Sequence, residues 1–259
     1  PRFIQACRRH PTDRTPVWFM RQAGRYMPQY REIRKSHPIL EICKTPALAA
    51  EVTMQPIEAL DVDAAIIFAD LLLPLEPMGL NLEFVQGDGP KIHNPIRSAN
   101  DVEKLSTLNT SELEYVGEAI GLVKKSLANR VPVIGFVGAP FTLASYMIEG
   151  GGSRNYVATK YIMWHEPAVW QALMEKIVQV LTPYAASQVL KGADAIQVFD
   201  SWGGALAPDD YERFVLPYSE MLIRQIQSTA VPVIHFGTGS GTFLELFNSA
   251  GGEVLGLDC

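Results

Sequence analysis

Short apolar segments alternate with longer amphipathic segments along most of this chain. Six of the apolar segments read as strands buried on both faces. They cover residues 17–20, 64–69, 131–137, 195–199, 231–236 and 253–258. Residues 81–96 alternate instead around Gly87-Asp88-Gly89, a pattern that predicts a hairpin outside the main sheet.

The segments between these strands carry helix signals. In residues 111–127, apolar side chains recur every three or four positions, which predicts an amphipathic helix. Thr45-Pro46, Pro167 and Pro208 mark helix starts, because proline suits the first helical position. The helices that we expect cover residues 3–9, 45–60 with a bend at Pro56, 111–127, the turn at 138–142 to about 148, 167–192, 208–227 and 242–250.

Strands that alternate with helices predict a parallel α/β sheet. A doubly wound sheet is disfavoured, because no GxGxxG follows the first strand and no Walker pattern occurs. Polar residues follow or end several strands, as in a (β/α)8 TIM-type barrel: Arg21, Asp70, Ser201, His235 and Asp258. We therefore predict one barrel domain over residues 1–259. Six strands leave it two short, so we expect the printed sequence to stop before the barrel closes.

Composition and charge narrow the possible functions. The chain has 259 residues, of which 47% are hydrophobic and 19% charged, as in a globular enzyme. A net charge of −6 argues against general nucleic-acid binding. No apolar run is long enough to span a membrane, and no signal peptide is evident, so we expect no membrane association. Three cysteines without metal-ligand spacing favour a reducing cytoplasm.

One basic segment departs from this acidic average. Residues 1–35 contain nine Lys or Arg against two acidic residues, a charge of +7 that leaves −13 for the rest. Within it, Arg21 and Arg25 flank Gly24 at the end of the first predicted strand. Arginine forks bind carboxylates or phosphates bidentately, so the pair predicts a site for an anionic ligand. The alternative is a structural pair that bridges to Glu32 or Glu51.

Other candidates are weaker when taken alone. Asp70 ends a buried strand and could accept hydrogen bonds from a ligand or cap the next segment. Residues 135–142 form a strand-to-helix turn whose free N–H groups favour an anion. Ser201 lacks a GxSxG setting, so we expect a hydrogen-bonding role or a turn. Tyr146 and His235 are most simply core residues, since no HxxEH or CxxC accompanies His235.

Taken together, several stretches make the chain resemble the uroporphyrinogen decarboxylase family. They are Pro16-Val17-Trp18-Phe19-Met20-Arg21-Gln22-Ala23-Gly24-Arg25-Tyr26, Phe68-Ala69-Asp70, Gly135-Phe136-Val137-Gly138-Ala139-Pro140-Phe141-Thr142-Leu143, Tyr146-Met147-Ile148-Glu149-Gly150-Gly151-Gly152-Ser153, Phe199-Asp200-Ser201-Trp202-Gly203-Gly204 and Gly256-Leu257-Asp258. The resemblance spans nearly the whole chain. The first and third stretches are long and specific.

The resemblance implies a homodimeric barrel that removes the four acetate carboxyls of uroporphyrinogen, without cofactor or metal, to give coproporphyrinogen. It implies that Asp70 binds the pyrrole N–H groups, and that Arg21 and Arg25 contact acetate or propionate groups. The implied substrate-binding residues are Arg21, Gln22, Ala23, Arg25, Asp70, Phe136, Tyr146 and Ser201, of which Asp70 and Arg21 are expected to be catalytic.

Two departures and two alternatives accompany the resemblance. The family's C-terminal Asn-Leu-Gly-His-Gly segment is absent from the printed sequence, and Cys259 stands where many members carry tryptophan. One alternative is a corrinoid-dependent methyltransferase, whose relatives bind zinc through His-x-Cys near the fifth strand. The matching stretch here is His235-Phe236-Gly237, without that cysteine. The other alternative is a non-catalytic tetrapyrrole-binding protein.

Overall fold

A parallel sheet organises the protein, whose computed structural model describes residues 1–85, 89–106 and 110–258. The strands are β1 (Ala65–Ile66), β2 (Leu82–Val85), β3 (Gly89–Ile92), β4 (Val133–Gly138), β5 (Ala195–Asp200), β6 (Val233–Gly237) and β7 (Val254–Leu257). Five of them pair in the order β1-β4-β5-β6-β7, each parallel to its neighbour. This curled sheet, with helices between successive strands, confirms the predicted barrel class.

Twelve helices surround the sheet in the described part of the chain. They are α1 (Arg2–Cys7), α2 (Pro28–Ser36), α3 (Ile39–Lys44), α4 (Pro46–Leu60), α5 (Ala99–Glu103), α6 (Glu114–Leu127), α7 (Pro140–Glu149), α8 (Val157–His165), α9 (Pro167–Leu190), α10 (Pro208–Phe214), α11 (Leu216–Gln227) and α12 (Leu244–Ser249). Four short 3-10 turns add to them, at Leu73–Leu75, Thr110–Leu113, Gly203–Ala205 and Ser240–Phe243. None of the helices among these residues is both long and apolar enough to cross a membrane.

The predicted hairpin is also confirmed, since β2 and β3 pair antiparallel outside the main sheet. Two residues of its turn motif, Gly87 and Asp88, lie outside the described residues, as does Cys259. The predicted helix over 208–227 is instead two helices, α10 and α11, because the chain breaks at Val215, two residues before a proline. Proline cannot donate a helical hydrogen bond, so a helix restarts there more easily than it continues.

The strand predicted at residues 17–20 is wrong. Val17 and Phe19 are about half exposed, at 51% and 53%, so this run is not a strand buried on both faces. Its hydrogen bonds serve a local turn, in which the Gln22 amide donates to the Phe19 carbonyl at 3.0 Å. Only Val17 is tied to the sheet edge, where its N–H donates to the Asp63 carboxylate and its carbonyl accepts from the Asp63 N–H, both at 2.8 Å.

Asp63 anchors this N-terminal arm. Its carboxylate also accepts from Arg2, which in turn pairs with Asp13 at 2.5 Å. Burial alone would raise the pKa of Asp63, but the Val17 amide and Arg2 together hold that pKa below its ordinary value. The arm is therefore held through a deprotonated carboxylate, which stabilises the fold above the ordinary carboxyl pKa and loses that effect as the pH falls through the lowered one.

The two faces of the sheet carry different side chains, because alternate residues of a strand point to opposite faces. On one face, Phe199 lies between Phe136 and Phe236, with ring centres 5.4 and 5.6 Å apart. On the other face, His235 is fully buried and stacks on Phe247 of α12 at 3.9 Å. The expectation that His235 marks a strand end is therefore wrong, because it lies in the middle of β6.

One large hydrophobic cluster connects this sheet with its helices, from Phe3 to Ala250. A smaller cluster of Met27, Tyr30, Ile42 and Val52 packs α2 and α3 against α4. The assignment of residues 1–259 to one domain stays a prediction, which the extent of the larger cluster supports.

Candidate active site

Asp70 lies beyond the carboxyl end of β1, on a segment that is fixed from the side. The buried Thr53 hydroxyl accepts from the Phe68 N–H at 2.9 Å and donates to the Ala49 carbonyl at 2.7 Å, which ties this segment to α4. One Asp70 oxygen, Oδ1, accepts from the Leu72 N–H at 2.9 Å. Among the described residues, no hydrogen bond reaches Oδ2. The aspartate therefore caps a turn with one oxygen, and its other oxygen has no hydrogen-bond partner among the described residues.

The electrostatics of Asp70 are dominated by burial, which raises the pKa of its carboxyl group. The Leu72 amide and the Arg21 guanidinium oppose that shift. An ionised Asp70 is therefore costly, and a cation or N–H donors beside it would relieve the cost. Arg21 is close enough to act on the pKa of Asp70, but it is the smallest of the three influences.

Tyr146 joins them from α7. Burial, the Asp70 carboxylate and the neighbouring Tyr156 raise the pKa of its phenol to about 12, while Arg21 opposes this. At neutral pH the phenol keeps its proton, so its hydroxyl can donate a hydrogen bond to an anion. The charges of Asp70 and Arg21 thus both act on the phenol of Tyr146.

Arg25 lines a separate cavity of about 1100 Å³, whose lining includes neither Arg21 nor Asp70. The cavity is bounded by α2, by the start of α3 and by the hairpin, and its charged lining residues are Arg25, Arg31, Arg34, Lys35 and Glu83. Four cations against one carboxylate give this lining an excess of positive charge, which favours anions. Sequence reasoning counted these charges but missed that α2 presents them beside Arg25. A smaller cavity of about 380 Å³ lies beside Arg21.

The loop between Arg21 and Arg25 is held by its own side chains. Gln22 is buried, with its amide nitrogen donating to the Ala64 carbonyl at 3.2 Å and its oxygen accepting from the Phe19 N–H at 3.3 Å. The Tyr26 hydroxyl donates to the Gln22 carbonyl. The side chain of Gln22 thus helps to shape the loop, and its second amide hydrogen has no acceptor among the described residues.

Gly24 was expected to allow close approach of the backbone. A methyl group placed there would meet only ordinary contacts, the nearest at 3.6 Å, so the geometry does not require glycine at this position. Arg31 has a clearer role in the loop. Its guanidinium donates to the Arg25 carbonyl at 2.9 Å and to the Tyr26 carbonyl at 3.1 Å, which fixes the turn that carries Arg25.

Ser201 and Phe136 complete the set on the neighbouring strands. Ser201 follows β5, and its carbonyl accepts from the Thr238 hydroxyl, while the described residues give its own hydroxyl no hydrogen-bond partner. Phe136 belongs to the aromatic row on the sheet face. Asp258 is used elsewhere, since its carboxylate accepts from the Gly239 N–H at 3.0 and 3.1 Å.

No group of three or more His, Cys, Asp or Glu side chains with metal-binding geometry occurs among those described. His235, the residue at the position of the methyltransferase zinc ligand, is enclosed between Phe247 and the Asp200 carboxylate, whose Oδ2 lies 3.8 Å from its Nε2.

Comparisons with known proteins agree with this picture. The family model described as uroporphyrinogen decarboxylase (URO-D) matches residues 1–259. A uroporphyrinogen decarboxylase from Solibacter usitatus is 66% identical over 99% of this chain and 74% of its own length. One from Sorangium cellulosum is 55% identical over 99% of this chain and 74% of its own.

A solved structure resembles the fold. The methyltransferase from Methanosarcina mazei superimposes with a TM-score of 0.77 over 98% of this chain and 74% of its own, at 20% sequence identity. At that identity the likeness shows a shared architecture alone.

Proposed function

The chain belongs to the uroporphyrinogen decarboxylase family, and from that premise we propose how its side chains divide the work of the reaction. The reaction removes the four acetate carboxyl groups of uroporphyrinogen III and gives coproporphyrinogen III, in tetrapyrrole biosynthesis. The observation that carries this assignment is 66% identity to a uroporphyrinogen decarboxylase over 99% of the chain.

The chemistry explains why an aspartate stands at the centre of the site. An acetate on a neutral pyrrole cannot lose CO2 directly, because the electrons of the breaking C–C bond need an acceptor. Protonation of the ring carbon beside the acetate turns the pyrrole into a cationic acceptor. CO2 then leaves, and its bonding electrons form an exocyclic double bond. A second proton adds to the exocyclic carbon and gives a methyl group. The ring carbon then loses the first proton, which restores the neutral pyrrole. The substrate supplies the electron sink itself.

Asp70 is the residue placed to stabilise that cation. In our proposal Oδ2 accepts from the pyrrole N–H groups, and the ionised carboxylate faces the ring as positive charge develops. Because burial already makes the carboxylate costly, its interaction with a cation is strong in this low-dielectric site. The developing charge of the ring would thus neutralise a poorly solvated carboxylate.

The remaining side chains hold the carboxylates. Arg21 is proposed to bind the acetate that reacts, since it lies within electrostatic reach of both Asp70 and Tyr146. The neutral Tyr146 hydroxyl and the Ser201 hydroxyl would donate to the same region. Arg25 would bind carboxylates at the rim, in the cationic cavity beside α2. Because guanidinium groups hold their protons in proteins, the proposed role of Arg21 is to bind the reacting acetate.

Direct turnover tests the assignment. Reduced uroporphyrinogen is incubated with the full chain without oxygen, and the products are oxidised and separated by their number of carboxyl groups. We expect loss of four carboxyls per macrocycle. Binding without turnover would favour the non-catalytic alternative, and methyl transfer from a methylated corrinoid would favour the methyltransferase.

Substitution of Arg25 tests the carboxylate grip. Arg25→Lys keeps the charge but loses the two-pronged hydrogen bonding of the guanidinium, so we expect KM to rise about 10-fold. Arg25→Gln also loses the charge, so we expect KM to rise about 100-fold, which corresponds to the loss of one to two charge-assisted hydrogen bonds. The kcat value should change much less, because rim contacts are equal in ground and transition states. Arg130→Lys, an exposed arginine before β4, is the matched control. Equal KM values for Arg25→Gln and the parent would contradict this role.

The assembly and location are further parts of the proposal. A homodimer is supported by an exposed apolar stripe on α8, formed by Val157, Tyr161 and Trp164 at helical spacing. A cytoplasmic location is supported by Cys7 and Cys43, both of which are free thiols.

A further inference from the structure

Three aromatic rings stack beside the proposed site. Trp202 lies between Tyr146, with ring centres 4.0 Å apart and planes tilted by 33°, and Tyr156, at 5.1 Å and 54°. Tyr146 is the member with a proposed role in the reaction, whereas Trp202 and Tyr156 have none so far. The contact at 4.0 Å is close enough to restrict how the Tyr146 ring can rotate.

The loop that carries Trp202 is held on three sides. The carbonyl of Ser201 accepts from the Thr238 hydroxyl, and the Ala205 carbonyl accepts from Lys160 of α8 at 3.1 Å. Beneath it, the buried Asp200 carboxylate lies 3.1 Å from the position that a β-carbon on Gly203 would take. Trp202 is therefore presented from a loop with little freedom to move.

The buried Asp200 adds to this rigidity. Its Oδ2 accepts from the Tyr211 hydroxyl of α10 at 3.2 Å, behind the sheet. Strand β5, helix α10 and the loop are thus joined immediately before Ser201 and Trp202. The indole ring of Trp202 can therefore serve as a fixed surface against which the Tyr146 ring packs.

We propose that Trp202 is a positioning residue that holds the Tyr146 phenol in the orientation its hydroxyl needs, an inference that rests on the role proposed above for Tyr146. The phenol is mounted on α7 through a single rotatable Cα–Cβ bond and a ring torsion. Its hydroxyl must meet a carboxylate beside Asp70. Without the indole face, the ring gains alternative rotamers and spends less time in the productive one.

A double-mutant cycle separates this role from general support of the fold. Trp202→Ala in the otherwise unchanged chain should lower kcat/KM about 10-fold, a scale typical of directly coupled neighbours. In a Tyr146→Phe background, where no hydroxyl remains to be positioned, the same substitution should lower kcat/KM by less than about 3-fold. Trp202→Phe keeps an aromatic face and should restore most of the activity.

Further variants keep the test decisive. Trp202→Leu fills most of the space without an aromatic face, so it replaces the alanine variant in the cycle if that variant unfolds. Leu190→Ala, at the exposed end of α9, is the control and should leave kcat/KM unchanged. Equal losses from the Trp202 substitution in both backgrounds would overturn the inference and leave the role of Tyr146 intact. No loss in Tyr146→Phe alone would overturn that role, and the inference with it.

Discussion

Asp70→Asn should lower kcat by about 10³-fold, the upper range for removing one preorganised electrostatic contact. The amide has nearly the same shape as the carboxylate and can still accept from the Leu72 N–H, so the turn should survive. It carries no negative charge to face the pyrrole cation. The measurement is steady-state turnover of uroporphyrinogen, with product carboxyl groups counted. Asp209→Asn, an exposed aspartate on α10, is the matched control and should keep parental activity.

The same substitution should stabilise the fold, which separates loss of function from loss of structure. Because burial raises the pKa of Asp70, the folded protein holds this proton more tightly than the unfolded chain does. Stability therefore falls as the pH rises from the ordinary carboxyl pKa to the raised one, and stays lower above it. At neutral pH, Asp70→Asn should gain about 1 kcal/mol, the usual scale of such functional-site replacements.

Two outcomes would contradict this account of Asp70. Turnover within a few-fold of the parent would remove the carboxylate from the mechanism. A stability gain that persists at pH values below the ordinary carboxyl pKa would show that the gain has another origin, because both proteins are neutral at this position there. Thermal unfolding measured between acidic and neutral pH distinguishes these cases.

The sequence predicted elements whose signals are local. Helix starts at Pro46, Pro167 and Pro208 are confirmed, because a fixed backbone angle acts wherever the chain goes next. The strand at 17–20 failed for a related reason. Its apolar residues fit a strand pattern. A strand also needs a neighbouring strand to which its backbone hydrogen-bonds, and a local sequence pattern does not show whether one is present. Helix α2 was missed because it is a polar surface helix with Tyr30 as its one buried residue.

For the site as well, some features could be predicted from the sequence and others could not. Polar residues at predicted strand ends nominated Arg21 and Asp70, whereas Tyr146, on a predicted helix, was nominated by the family resemblance. In the structure the charges of Arg21 and Asp70 both act on the pKa of Tyr146. Their predicted roles stay predictions until variants are measured. What the sequence could not give were specific side-chain contacts, such as Trp202 against Tyr146 or Arg31 on the Arg25 carbonyl. These depend on how helices and loops pack in the folded chain.

Gly204→Ala should be the most destabilising small substitution in the site region. A β-carbon on Gly204 would lie 2.1 Å from the Thr238 carbonyl oxygen and 2.6 Å from the Gly239 carbonyl carbon. Backbone cannot rotate away as a side chain can, so the loops after β5 and β6 must separate. We expect a loss of about 3 kcal/mol, the upper range for overpacking, and a fall in melting temperature of about 10 °C for a domain of this size.

Gly241→Ala provides the matched control, because a β-carbon there meets nothing within 4 Å although it lies in the 3-10 turn next to the same loop. The two variants make the same chemical change, so their difference in unfolding midpoint isolates the clash. Separation of the loops would also release Ser201, whose carbonyl is tied to Thr238, and with it the adjacent Trp202. Gly204→Ala should therefore lose activity at temperatures where it is still folded. If it unfolds at the same midpoint as Gly241→Ala, the two loops are not packed as tightly as the structure shows, and Trp202 has no rigid mount from which to hold Tyr146.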